Sequence, residues 1–174
     1  MEFTLAVRVE NEPGVLARVA SLVSRRGFNI ESLAVGPTED ASVSRITLVC
    51  KGDERDRERL RRQLEKLVEV LEAWHVPGDG SVRRELALVR VRADPGRRTE
   101  LLQVAGIFRS RVVHVDRNSL VLETTGDPEK IQAWLEVLDD FGIEEVARTG
   151  IVALDRERRA IPQAEYESRE EAAL

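Results

Sequence analysis

The feature that most limits how this chain can fold is a repeat: the same order of hydrophobic periods runs through it twice. Phe3, Leu5, Val7 and Val9 alternate with Thr4, Ala6 and Arg8, the period of a half-buried strand. Asn11-Glu12-Pro13-Gly14 breaks the alternation. Val15, Leu16, Val19, Leu22 and Val23 then recur at helical spacing up to Arg25, Arg26 and Gly27, where basic residues followed by glycine end a helix. Residues 28–35 read as a second strand, Gly36 to Asp40 as a turn, and residues 43–51 as a third strand, most simply a hairpin. Leu60, Leu64 and Leu67 mark the single apolar face of an otherwise charged helix over 54–66, and residues 68–76 supply a fourth strand. Pro77-Gly78-Asp79-Gly80-Ser81 then reads as a linker.

The second half follows the same order. Residues 86–91 alternate, and residues 99–108 carry Leu101, Leu102, Ala105 and Phe108 at helical spacing. Residues 112–115 and 120–122 flank Asp116-Arg117-Asn118-Ser119 as a second hairpin. Asp127-Pro128 opens a helix with Ile131, Trp134, Leu135 and Leu138 inward, and residues 143–146 close the set. Strand, helix, strand, strand, helix, strand is the split βαβ order of a ferredoxin-like sandwich. The expected fold is therefore α+β, with two small ferredoxin-like α/β sandwiches over residues 1–76 and 82–154, joined by a linker at 77–81. Residues 155–174 are charged, interrupted by Pro162 and thin in apolar side chains, so a loosely held tail is expected there.

At 174 residues the chain holds two small domains and leaves little room for a self-sufficient cofactor enzyme. A net charge of -5 offers no pull toward nucleic acid or an anionic membrane. Only Phe3, Phe28 and Trp74 are available in the first half for base stacking, and no aromatic-basic ribonucleoprotein motif or helix-turn-helix pattern accompanies them. The N-terminal residues MEFTLAVRVENE do not read as a secretory signal, and no apolar run is long enough to span a membrane. Cys50 stands alone, so a reducing, cytoplasmic setting is expected, and its apolar neighbours make it a small core residue. His75 and His114 have no ligand partners at metal-site spacing, and no nucleophile is spaced with a base. No catalytic or metal-binding residue is expected. The run from Asp53 to Arg62 alternates acids with arginines, the pattern of an ion-paired, solvated helix face.

The element with chemical promise is Asn11-Glu12-Pro13-Gly14-Val15-Leu16, between the first strand and the first helix. Pro13 suits a helix start, Gly14 lets another molecule approach the backbone, and the first-turn amides sit unsatisfied at the positive end of the helix dipole. Such amides can bind a carboxylate, and a tight turn needs the same residues with no ligand at all. Asn29, at the start of the second strand, can cap a turn or contact a ligand's polar group.

The segments VENEPGVLARVASLVSRRGFNIESLAVGPTED and SRITLVCKGDE resemble the amino-acid-binding ACT domain of acetolactate synthase small, regulatory subunits. The resemblance runs on through QLEKLVEVLEA, RELALVRVRA, IFRSRVVHV and ARTGIVAL, covering about residues 3 to 154 in collinear order. It implies a noncatalytic partner of a large subunit that condenses two pyruvates, or pyruvate with 2-oxobutyrate, in branched-chain amino-acid synthesis. Thiamine diphosphate, Mg²⁺ and FAD would belong to that large subunit, and none to this chain. It also implies a homodimer through the ACT domains, with valine or a related end product bound between them. Asn11, Gly14, Val15 and Leu16 of one protomer would hold the effector, and Asn29 and Ile30 of the other would complete the pocket. A free-standing ACT sensor for another enzyme or a transcription factor is the main alternative. A ferredoxin-like enzyme with a shared interface site is the third, and no convergent set of reactive groups supports it.

Overall fold

The computed structural model describes residues 1–157. Strand β1 (Glu2–Glu10) is followed by helix α1 (Val15–Arg25), strands β2 (Ile30–Pro37) and β3 (Val43–Lys51), helix α2 (Glu54–Leu64) and strand β4 (Val70–His75). The sheet has the order β2-β3-β1-β4, with antiparallel pairing throughout. The second half repeats this with β5 (Ser81–Arg92), α3 (Arg98–Ile107), β6 (Arg111–Val115), β7 (Ser119–Gly126), α4 (Pro128–Asp139) and β8 (Ile143–Arg148), in the order β6-β7-β5-β8. Two ferredoxin-like sandwiches are present, as the repeated periods predict.

Each sandwich has its own core. In the first, Leu5 and Val7 of β1, Ile46 and Leu48 of β3, Val19 and Val23 of α1, and Leu60 and Leu64 of α2 are sealed from solvent. In the second, Val89, Leu122, Leu101, Ile131, Trp134 and Leu138 fill the equivalent space. Gly27 ends α1 in the left-handed region at φ 80, and the Phe28 amide returns to the Val23 carbonyl. That reversal delivers the Phe28 ring edge-on to Phe3, with centroids 6.3 Å apart.

Several boundaries differ from the sequence reading. Helix α2 stops at Leu64, because the amides of Leu67 and Val70 are taken up by turn carbonyls at Leu64 and Leu67. Val68 therefore lies 84% exposed in that turn, and β4 starts at Val70. Ser81, read as linker, is the first residue of a twelve-residue β5. A thirteenth element, β9 (Val152–Asp155), pairs with the first four residues of β5, and Asp155, read as the start of a tail, closes that ladder opposite Ser81. The rest of the expected tail, from residue 158 on, lies outside the described residues.

The β9 segment crosses the outer face of the first sheet. Ile151 and Ala153 are buried against it, while Val152 and Leu154 face outward. Ala153 packs with Ala6, Trp74 and Val76. The Arg45 guanidinium donates to the Ala153 carbonyl at 2.7 Å and lies 4.8 Å above the Trp74 ring, whose Nε1 donates to Asp155 at 2.8 Å. The seam covers Ala6 on the outer face of β1, a strand buried on both faces, with Thr4 and Arg8 also buried.

Candidate functional site

Helix α1 starts without a side-chain cap. Gly14 occupies the N-cap position at φ 87, a left-handed conformation that costs a side chain about 1–2 kcal/mol, and its carbonyl accepts the first helical bond from Arg18. Helix α2 is closed by a reciprocal Asp53–Asp56 capping box and α4 by the Asp127 side chain, whereas α1 and α3 have no side-chain cap. In α1 the Val15 amide donates to the Glu12 carbonyl at 3.4 Å, and the amides of Leu16 and Ala17 are the first-turn donors available to an anion. Val15 turns its side chain into the core and its amide is taken by Glu12, whereas Leu16 stays 42% exposed beside the opening.

Asn11 is exposed but engaged. Its Nδ2 donates to the Ala41 carbonyl at 2.9 Å, and its Oδ1 accepts from the Ser44 hydroxyl at 3.0 Å. The side chain thereby fastens the β1–α1 loop to the β2–β3 turn, leaving one N–H and one lone pair for a ligand. Asn29 donates to the Glu31 carboxylate at 2.7 Å, and that carboxylate also meets Lys51 at 3.2 Å. The bonds from Asn29 and then Lys51 hold the Glu31 carboxyl below its ordinary value. Ile30 is half-buried at the margin of the first core.

These residues form two groups, and one chain does not bring them together. Asn11 is bonded to Ser44 at one end of β3, whereas Ile30 pairs with Cys50, six residues further along the same strand. At ~3.3 Å per residue the two ends are roughly 20 Å apart. Strand β2, which spans that distance, has β3 on one side and is the edge of the sheet on the other.

A shallow groove along α2 is lined by Glu54, Arg55, Glu58, Arg59, Arg62, Gln63 and Lys66, away from both groups. Ion pairs within the helix, such as Arg62 to Glu58 at 2.8 Å, account for it as a solvated face. Cys50 is fully buried, and desolvation first, then the nearby Glu31, pushes its thiol up to about 11, so it is an unreactive core residue at neutral pH. His75 is lowered, chiefly by burial. Among the described residues no group of three or more His, Cys, Asp or Glu side chains is placed to hold a metal ion, and no helix is long and apolar enough to cross a membrane.

Ser32, Gly150 and Ile151 were not legible as site neighbours in the sequence. The Ile151 amide donates to the Ser32 hydroxyl at 2.8 Å, across 119 residues of chain. Nothing in the local pattern of either segment signals that pairing.

Two family models divide the chain between them. Residues 5–72 match the small subunit-like ACT domain of AHAS, and residues 84–157 match the small subunit of acetolactate synthase. A probable acetolactate synthase small subunit from Archaeoglobus fulgidus is 49% identical over 156 residues, spanning 90% of this chain and 98% of that protein. The acetolactate synthase small subunit of Mycobacterium leprae is also 49% identical, over 91% of this chain and 94% of its own. The crystal structure of the small subunit from Thermotoga maritima superposes with a TM-score of 0.85 at 38% identity, covering 91% of this chain and 99% of that one. With an ACT domain that presents an uncapped helix start beside an edge strand, and relatives that match it nearly end to end, the chain belongs to the acetolactate synthase small-subunit family.

Proposed function

We propose that this chain acts as the regulatory subunit that activates a catalytic large subunit and makes it subject to feedback inhibition by valine or a related branched-chain amino acid. The observation that carries the reading is the separation of the two candidate groups along an edge strand. If β2 pairs antiparallel with β2 of a second copy about a twofold axis, the Ile30 end of one lies opposite the Pro37 end of the other. Asn29 and Ile30 of one protomer then approach the Asn11–Leu16 loop of its partner, which is fastened to the β2–β3 turn.

Such a pocket suits an α-amino acid at each end. The first-turn amides of α1 beyond Val15 receive the carboxylate, the side-chain oxygens of Asn11 and Asn29 accept from the ammonium, and Leu16 and Ile30 flank a branched aliphatic chain. Because two chains share the site, an effector that binds one protomer arrangement better shifts the pair toward it; equal affinity for both would shift nothing. Thiamine diphosphate, Mg²⁺ and FAD would reside on the large subunit, and this chain would work with it in the cytoplasm.

Calorimetric titration of the chain with valine, leucine and isoleucine, with protomer stoichiometry from the same samples, tests the shared pocket. Saturable binding to a dimer is expected, together with activation of pyruvate condensation when the large subunit is added. A chain that binds valine as a monomer would sink the shared pocket, and failure to activate the large subunit would return the reading to a free-standing sensor. Asn29→His should weaken the effector on the partner's side; an unaltered affinity removes Asn29 from the site.

A further inference from the structure

Strand β2 carries a bulge at the effector end. Ile30 pairs with Cys50 and Ser32 with Val49, so two steps along β2 match one along β3 and Glu31 is the extra residue. In a regular strand Ile30 and Ser32 would share a face. The bulge separates them: Ile30 packs toward the helices, and Ser32 points to the outer face, where the second domain lies. The same extra residue places Asn29, which is bonded to the Glu31 carboxylate.

The bulge is clamped from outside its own domain. The Ile151 amide donates to Ser32 Oγ at 2.8 Å, and the backbone of Gly150 comes so close that a Cβ there would lie 2.8 Å from Ser32 Oγ and 3.1 Å from the Leu33 carbonyl. Gly150 also sits at φ 76, so the turn is built to allow this approach. A bulged register differs from an unbulged one by a single residue, and a slip between them turns every side chain beyond it to the other face.

We propose that Ser32 is a positioning residue for the effector site, and that the Gly150–Ile151 turn of the second domain clasps it to hold the β2 bulge that aims Asn29 and Ile30. The inference rests on the shared-pocket reading above. It makes the second domain part of the effector response through one contact on β2, distinct from the seam that docks the domains at Arg45, Trp74 and Asp155.

The test uses holoenzyme reconstituted from the large subunit with full-length wild type, Ser32→Ala, Gly150→Ala or Trp74→Phe. Three quantities are read: the valine concentration for half-inhibition, the activation without valine, and the melting temperature of the small subunit alone. Ser32→Ala and Gly150→Ala should raise the half-inhibitory concentration by roughly tenfold or more with activation retained. Trp74→Phe, which loosens the docking seam without touching β2, should lower the melting temperature yet keep half-inhibition within about twofold of wild type. Wild-type sensitivity in Ser32→Ala overturns the clasp, and so does an equal loss in Trp74→Phe, which would mean that domain docking at large is what matters. If the wild-type holoenzyme ignores valine, leucine and isoleucine alike, the effector reading itself fails and the inference falls with it.

Discussion

Both halves of the molecule place a Pro-Gly turn between their first strand and first helix, Pro13-Gly14 and Pro95-Gly96, and neither helix has a side-chain cap, yet the two starts are held differently. Gly14 is left-handed and its loop is tied outward to the β2–β3 turn. Each turn returns one amide three residues back, Val15 to Glu12 and Arg97 to Asp94, but in the second half the Arg98 amide also returns to Asp94 and the Arg98 guanidinium donates to the carbonyls of Ala93, Asp116 and Arg117. The same dipeptide therefore leaves a less encumbered helix start in one domain and makes a closed structural corner in the other. The outer faces of the two sheets diverge likewise. Thr4, Ala6 and Arg8 are buried, Ala6 against Ala153 of β9, whereas Leu88 on the corresponding face of the second sheet remains 36% exposed. A repeated topology thus fixes where elements lie, and the packing between repeats decides which surfaces stay free.

The largest expected effect comes from placing one charge on each outer face. Ala6→Asp buries a carboxylate in the interdomain seam and should cost several kcal/mol in urea unfolding, while Leu88→Asp should cost about 1 kcal/mol or less. Equal losses would mean that the two faces are not different. Arg98→Ala should cost about 2 kcal/mol, since three carbonyls lose a charged donor at a half-buried corner. Arg18→Ala, beside the open turn, removes a largely exposed ion pair with Glu69 and should cost under about 1 kcal/mol.

A finer contrast is Gly14→Asp against Gly96→Asp. A side chain at Gly14 must adopt φ 87 with its Cβ 3.3 Å from Arg18 Nη1, at a cost of about 1 kcal/mol, and its carboxylate competes with the effector's. Feedback inhibition should fade there while activation survives. Gly96 has open space around its Cβ and no positive φ, so stability and inhibition should both persist. Inhibition unchanged in Gly14→Asp would move the pocket elsewhere.

The smallest effect distinguishes α2 from α4. Glu58 accepts from Arg61 and Arg62, and those bonds bring its carboxyl down from 4.5 to about 2 in the folded chain. A depressed folded value means that the stabilising contribution is present above pH 4.5 and is lost as pH falls from there through 2. Glu58→Gln should therefore shift the melting temperature slightly at pH 7 and hardly at all near pH 2, with salt shrinking the difference. Gln132 and Glu136 on α4 are joined through a neutral donor, so Gln132→Ala should show little salt dependence.

The sequence by itself determined the element order and most of the two cores, because alternation at period 2 and recurrence at helical spacing are local properties that burial imposes on each strand and helix. Val19, Leu22 and Val23 on α1 and Ile131, Trp134 and Leu138 on α4 were readable for that reason. The open start at Gly14 was readable only as a possibility, since Pro95-Gly96 shows that the same residues also make a closed corner. Tertiary structure alone decided the rest. The β1 residues between the core positions look half-exposed in sequence and are buried, Ala6 because Ala153 of β9, about 145 residues later, packs on it. Val15 and Leu16 both fall on the helical spacing in sequence, and only the packing of α1 on the sheet separates them, burying Val15 and leaving Leu16 at the surface. The Ser32–Ile151 bond and the bulge at Glu31 have no local pattern at all, because a hydrogen bond between distant segments depends on how two domains pack and not on the periodicity of either one.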